Sequence, residues 1–195
     1  MKKTGNMFPQ RTQAAIDALA PTLRFFEESG WYRRLSEPDV SDFTIGNPHD
    51  MPPPGFVDAL AKKIVPEHIH WYAYHTNEPA SRQVLAASLR AWRGIEFREE
   101  DVFLTNGATA GLHVVLETIV GPGDEVIFMS PPWLQYESMI LLAGGTPVRE
   151  RINLATYDLD LDRLERAITP KTRAVIINSP HNPTGKIYIP DTLRR

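Results

Sequence analysis

The chain has 195 residues, 42% of them hydrophobic and 23% charged, with a formal net charge of −3 and no cysteine. This balance supports a globular core and excludes disulfides, thiolate nucleophiles and cysteine-held metals; it offers no electrostatic attraction for nucleic acid or an anionic membrane. The basic start, Met1-Lys2-Lys3, leads into no apolar leader and no stretch is long enough to span a bilayer, so a cytoplasmic protein is expected.

In chain order, residues 11–29 place Ile16, Leu19, Leu23 and Phe26 at helical spacing. Phe43 to Pro48 breaks into loop, and Met51-Pro-Pro-Pro-Gly55 is rigid and extended. Helical patterns follow over 56–64 and 79–93. Val102–Thr105 is a predicted strand, and 108–120 an apolar helix stopped by Gly121-Pro-Gly-Asp124. Strand 125–129, helix 135–143, strand 147–152, helix 161–168 and strand 174–177 come next. Ile189 to Arg195 opens one more helix, with Pro190 or Asp191 near its start.

Strands alternating with helices predict an α/β fold with a mainly parallel sheet. Ligands of such sheets sit outside the carboxyl ends of the strands. Three of the four predicted strands end in unusual residues: Asn106-Gly-Ala-Thr109, Ser130-Pro-Pro-Trp133, and Asn178 to Gly185. All three ends are expected on one rim.

Each rim element has a chemistry. At Gly107, Ala108 and Thr109 a glycine turn opens a helix, whose first amides and a Thr hydroxyl can hold an anion; alone, this also reads as a plain capped helix start. Trp133 can stack on a flat heteroaromatic ring, or simply pack between helix and sheet. Asn182 can aim an amide at a ring oxygen, or cap its own turn. His68-x-His70 with Glu67 is a weak metal pattern, and surface histidines are the favoured reading, so no metal site is assigned. His181 reads as a spacer.

Asn182-Pro-Thr-Gly185 after a buried strand, with the two upstream elements at suitable spacing, resembles the class I/II aminotransferases of fold type I, the aspartate aminotransferase-like enzymes that use pyridoxal 5'-phosphate (PLP). The resemblance implies the α/β large domain of that fold, a mainly parallel sheet flanked by helices. That domain would be incomplete at 51–195, with an N-terminal arm and part of the small domain at 1–50. It implies that Gly107, Ala108 and Thr109 hold the PLP phosphate, Trp133 stacks on the ring, and Asn182 bonds the ring oxygen. Ile45-Gly46-Asn47-Pro48 is similar to the family loop whose glycine, here Gly46, lies against the substrate carboxylate. Tyr74 stands where a family tyrosine reaches the phosphate of the neighbouring subunit, which implies a homodimer; Pro79 replaces an expected glycine, with Tyr72 the fallback. The implied activity is transfer of an amino group between an amino acid and a 2-oxo acid, in amino acid metabolism.

The family's Schiff-base lysine, the carboxylate for the ring nitrogen and the arginine for the substrate all come after the Asn-Pro-Thr-Gly loop. The lysines here are Lys2, Lys3, Lys62, Lys63, Lys171 and Lys186. Lys171 precedes the last strand, away from the rim. Lys186 adjoins the loop, where the family carries a basic residue without catalytic duty. No catalytic residue is therefore assigned, and the chain reads as a truncated N-terminal portion, inactive alone. Two rivals stay open: a non-catalytic PLP- or effector-binding aminotransferase-like module, and another fold-type I enzyme such as a β-lyase.

Overall fold

The structure, a computed structural model, describes residues 8–46, 50–72 and 74–195. Asn47 and Pro48 of the predicted carboxylate loop lie outside the described residues, as do Lys2 and Lys3. Helix α1 (Gln10–Glu28), a one-turn α2 (Trp31–Arg34), α3 (Pro54–Lys63) and α4 (Pro79–Arg93) precede α5 (Gly107–Ile119). Strand β1 (Glu125–Ser130), α6 (Tyr136–Leu142), β2 (Thr146–Arg151), α7 (Leu161–Ala167), β3 (Thr172–Ile176) and α8 (Pro190–Arg194) complete the order. By their internal contacts, residues 1–33 and 107–195 form one unit and 34–106 another. Helix α1 packs on α6 within the first unit.

The first unit is built on a parallel three-stranded sheet in the order β2-β1-β3. Central β1 explains its own position. Val126, Ile127, Phe128 and Met129 are all buried, as a strand covered on both faces requires. Their side chains alternate between two clusters, following the two-residue period of a strand. Val126 and Phe128 join Leu116, Val120, Tyr136, Met139, Ile140 and Ala143. Ile127 and Met129 join Ile152, Leu159 and Tyr188 on the other face. Register pairs Ser130 with Arg151 and Phe128 with Ile176. The carboxyl ends of the three strands therefore lie along one edge, with β1 in the middle.

Turns at the opposite edge are held by charge and backbone. Asp124 Oδ2 accepts from the Gly121 N–H at 3.0 Å, and Asp124 Oδ1 accepts from Arg173 Nη2 at 3.2 Å. The Arg173 guanidinium, then the Gly121 amide, hold the Asp124 carboxyl below the usual carboxylate range.

The second unit has little interior of its own. Among its described residues Ala86 is the only buried one, and Phe56, Val57 and Leu60 of α3 are exposed. Here the structure corrects one expectation: Val102–Thr105 forms no strand. A strand needs a backbone neighbour, and a side chain has taken that place. Leu104 N–H donates to Asn77 Oδ1 at 2.6 Å, and Asn77 Nδ2 donates to the Leu104 carbonyl at 2.9 Å. Of the three predicted rim elements, two therefore follow strands, β1 and β3, and the third opens a helix, α5. The single turn at Glu99–Asp101 and α2 were not predicted; both are too short for a periodic signal.

Candidate cofactor site

Five of the predicted site residues fall in the first unit. Gly107 opens α5 with φ +81°, and a Cβ placed there would meet nothing within 4 Å. Backbone conformation, not crowding, makes glycine the fitting residue. Gly107, Ala108 and Thr109 are exposed, at the helix end whose amides lack intrahelical acceptors and carry partial positive charge.

Trp133 follows β1 and the cis Ser130-Pro131 bond. Its ring is half-buried, packed edge-on against Tyr136 with centroids 5.3 Å apart and planes at 71°. It borders the Val126–Phe128 cluster. Both sequence readings of Trp133 thus have a physical footing: one part of the indole packs, and the rest stays accessible.

Asn182 is exposed on the loop after β3. Its N–H donates to Asn178 Oδ1 at 2.8 Å, while its carboxamide makes no hydrogen bond among the described residues. The expected self-capping is therefore carried by Asn178, and the Asn182 amide is left for another partner.

The loop's anchor escaped sequence reasoning. His181, read as a spacer, is buried, 3% exposed. Its Nδ1 shares a 2.9 Å hydrogen bond with Thr184 Oγ1, and its N–H donates to the Lys186 carbonyl at 2.8 Å. The Gly185 N–H donates back to the His181 carbonyl at 2.7 Å. Burial lowers the His181 pKa from its ordinary value, and burial, then Asp158, raises that of Tyr188 beneath it. The available signal was the flanking pair of prolines and Thr184, which close the loop tightly enough to turn a side chain inward.

Lys186 points elsewhere. Its Nζ pairs with Asp158 Oδ1 at 2.8 Å and donates to the Thr156 carbonyl at 3.2 Å. Lys171 lies at the amino end of β3, where its carbonyl accepts from the Glu125 N–H.

Gly46 and Tyr74 belong to the other unit. Both are exposed; a Cβ on Gly46 would meet nothing within 4 Å, Tyr74 stands fully in solvent and Tyr72 largely so. In the same unit His70 N–H donates to His68 Nδ1 at 3.2 Å. Among the described residues no group of three or more His, Asp or Glu could hold a metal ion, and no helix is long and apolar enough to cross a membrane.

Comparison with known proteins places this arrangement. The family model for aminotransferase class I and II matches residues 38–195. The aspartate/prephenate aminotransferase of Thermus thermophilus is 35% identical over 156 residues, which are 80% of this chain and 40% of that protein. The probable aspartate/prephenate aminotransferase of Thermus aquaticus is 34% identical over 157 residues, 80% of this chain and 41% of that one. Among solved structures, an aminotransferase from Eubacterium rectale superposes with a TM-score of 0.83 at 26% identity, covering 97% of this chain and 49% of its own. Thermus thermophilus aspartate aminotransferase with maleate gives 0.75 at 28% identity, covering 96% and 48%. The chain spans about two fifths of the length of the curated relatives it matches. With its parallel sheet and flanking helices of the aspartate aminotransferase type, this chain belongs to the aminotransferase class I and II family.

Proposed function

We propose that this chain contributes the cofactor-seating wall of a PLP-dependent enzyme that transfers an amino group between an amino acid and a 2-oxo acid. The observation that carries the reading is the exposed Asn182 carboxamide, without a partner among the described residues, at the same sheet edge as Trp133 and in the unit that also holds the Gly107 turn.

The residues present fit the cofactor's three chemistries. The first turn of α5, from Gly107, Ala108 and Thr109, suits a phosphate through its amides and the Thr109 hydroxyl. The open part of the Trp133 indole suits a flat pyridine ring. The Asn182 amide suits a ring oxygen bearing negative charge, where a charge-assisted bond is stronger than a neutral one. When bound, PLP supplies the electron sink that lets a proton leave the amino acid's Cα. Gly46 is assigned to the substrate carboxylate and Tyr74 to the phosphate in a neighbouring subunit, so the working form is a homodimer. Residues 1–50 are assigned to the arm and small domain, 51–195 to the large domain, and the protein to the cytoplasm. The activities named for the relatives make aspartate the first amino donor to try.

With Lys186 held by Asp158, this chain seats the cofactor without bonding to it and is inactive alone. Titration of the chain with PLP, followed by absorbance, tests this. Thr109→Ala and Asn182→Ala should each weaken binding about fivefold to tenfold, the loss of one hydrogen bond near 1 kcal/mol. Borohydride treatment should leave no stoichiometric mass gain, and aspartate with 2-oxoglutarate should give no turnover. Unchanged affinity in both variants, or a single stoichiometric adduct on Lys186, would overturn the assignment.

A further inference from the structure

We propose that His181 is the positioning residue for Asn182, setting from inside the fold the direction in which the Asn182 carboxamide leaves the sheet edge. The inference rests on the reading of Asn182 as a cofactor ligand.

Three observations carry it. First, His181 is the buried member of a largely exposed turn: Asn182, Pro183 and Gly185 are exposed and Thr184 is half-buried, while His181 is buried. Second, three bonds converge on it. Its backbone N–H and carbonyl close the loop against Lys186 and Gly185, and its ring reaches Thr184 Oγ1, which also accepts from the Lys186 N–H at 3.4 Å. Third, the ring joins the loop to the core. It lies against Tyr188 with centroids 6.1 Å apart, and Tyr188 packs with Ile127, Met129, Ile152 and Leu159 under the sheet. The Tyr188 N–H in turn donates to Ser179 Oγ at 3.1 Å, closing the base of the loop.

Asn182 is thereby caught between two fixed points. Its own N–H is held by Asn178, and the residue before it is held by the interior. Two torsions remain for the carboxamide, so its heading follows the backbone. A sub-ångström shift there matters for a ligand bond, since hydrogen bonds lose strength steeply with misalignment. Among the described residues, His181 Nε2 and the Tyr188 hydroxyl are buried without a hydrogen-bond partner.

The test uses the full 195-residue chain with His181→Leu, which fills the space without a hydrogen bond, and His181→Asn, which keeps an amide near Thr184. In ligand-free protein, His181→Leu should speed exchange of the Gly185 amide about tenfold, the equivalent of one net hydrogen bond, and His181→Asn by less. For PLP, His181→Leu should raise Kd about fivefold in the parent but leave it unchanged in an Asn182→Ala background, the coupling expected of residues acting as one unit. Unchanged Gly185 exchange in His181→Leu sinks the proposal. So does an equal affinity loss with and without Asn182, which would mean a purely structural role. Should His181→Leu fail to fold, His181→Asn carries both measurements. A parent chain that takes up no PLP would count against the proposed function, while Gly185 exchange still decides the role of His181.

Discussion

Replacing Gly107 by alanine isolates what the start of α5 demands. Gly107 sits at φ +81° with open space where a Cβ would go, so the substitution adds no clash. An L-residue in the left-handed region is less stable by about 1–2 kcal/mol. Alanine also narrows the unfolded ensemble, which returns about 0.4–1 kcal/mol. The net expectation is a destabilisation of about 1 kcal/mol, provided the turn keeps its shape. If it relaxes to negative φ instead, the first amides of α5 move and the loss appears in phosphate-group affinity. Urea unfolding followed by tryptophan fluorescence measures the first outcome, and PLP titration of the same protein the second. A variant matching the parent in both midpoint and affinity would refute the claim that the left-handed turn is required.

Gly145→Ala should destabilise for the opposite reason. A Cβ there falls on Val120 Cγ1 and crowds Ile140 Cγ2 at 3.3 Å, so an overpacking loss of about 1–3 kcal/mol is expected in the same unfolding assay; a loss under half of that would show that the Val120 turn yields. Stability should decline with acid below the ordinary histidine value of 6.5, because burial lowers the His181 pKa and the unfolded chain binds the proton first. Neutral His181 is favoured above that range, the contribution is lost as pH falls toward the folded-state pKa, and His181→Asn should flatten that limb of the melting-temperature profile. A limb of equal slope in the variant would assign the acid sensitivity elsewhere. The chain should also associate with concentration, since β2 and β3 are sheet edges and Val114, Val115, Val175 and Ile177 are exposed; a constant monomer mass by light scattering across a hundredfold dilution would contradict this.

Local pattern carried much of the architecture. Residues 11–29 and 79–93 read as helices because their apolar positions recur at the helical period, and α1 and α4 follow them closely. The run Glu125 to Met129 reads as a strand because four apolar residues follow Glu125 without a break, and β1 is covered on both faces. Asn182, Trp133 and Gly107 were legible as site candidates because a loop after an apolar strand, or before an apolar helix, leaves few other reasons for an amide, a large aromatic or a glycine. The strand before Asn182 was expected to be buried, but β3 is a half-exposed sheet edge because nothing pairs with its outer side among the described residues. What sequence could not decide is how partners are shared across the chain. Val102–Thr105 has the composition of a strand, yet it becomes none because the Asn77 carboxamide, 27 residues earlier, holds Leu104. Lys186 stands beside the loop in sequence but turns to Asp158. His181 is flanked by exposed residues, yet it is the one drawn inward onto Tyr188. Composition and periodicity are properties of a segment, so the sequence alone determined where helices and strands begin and which residue types crown their ends. Which hydrogen-bonding group meets which is settled only when distant segments compete for one another, and tertiary structure alone decided that.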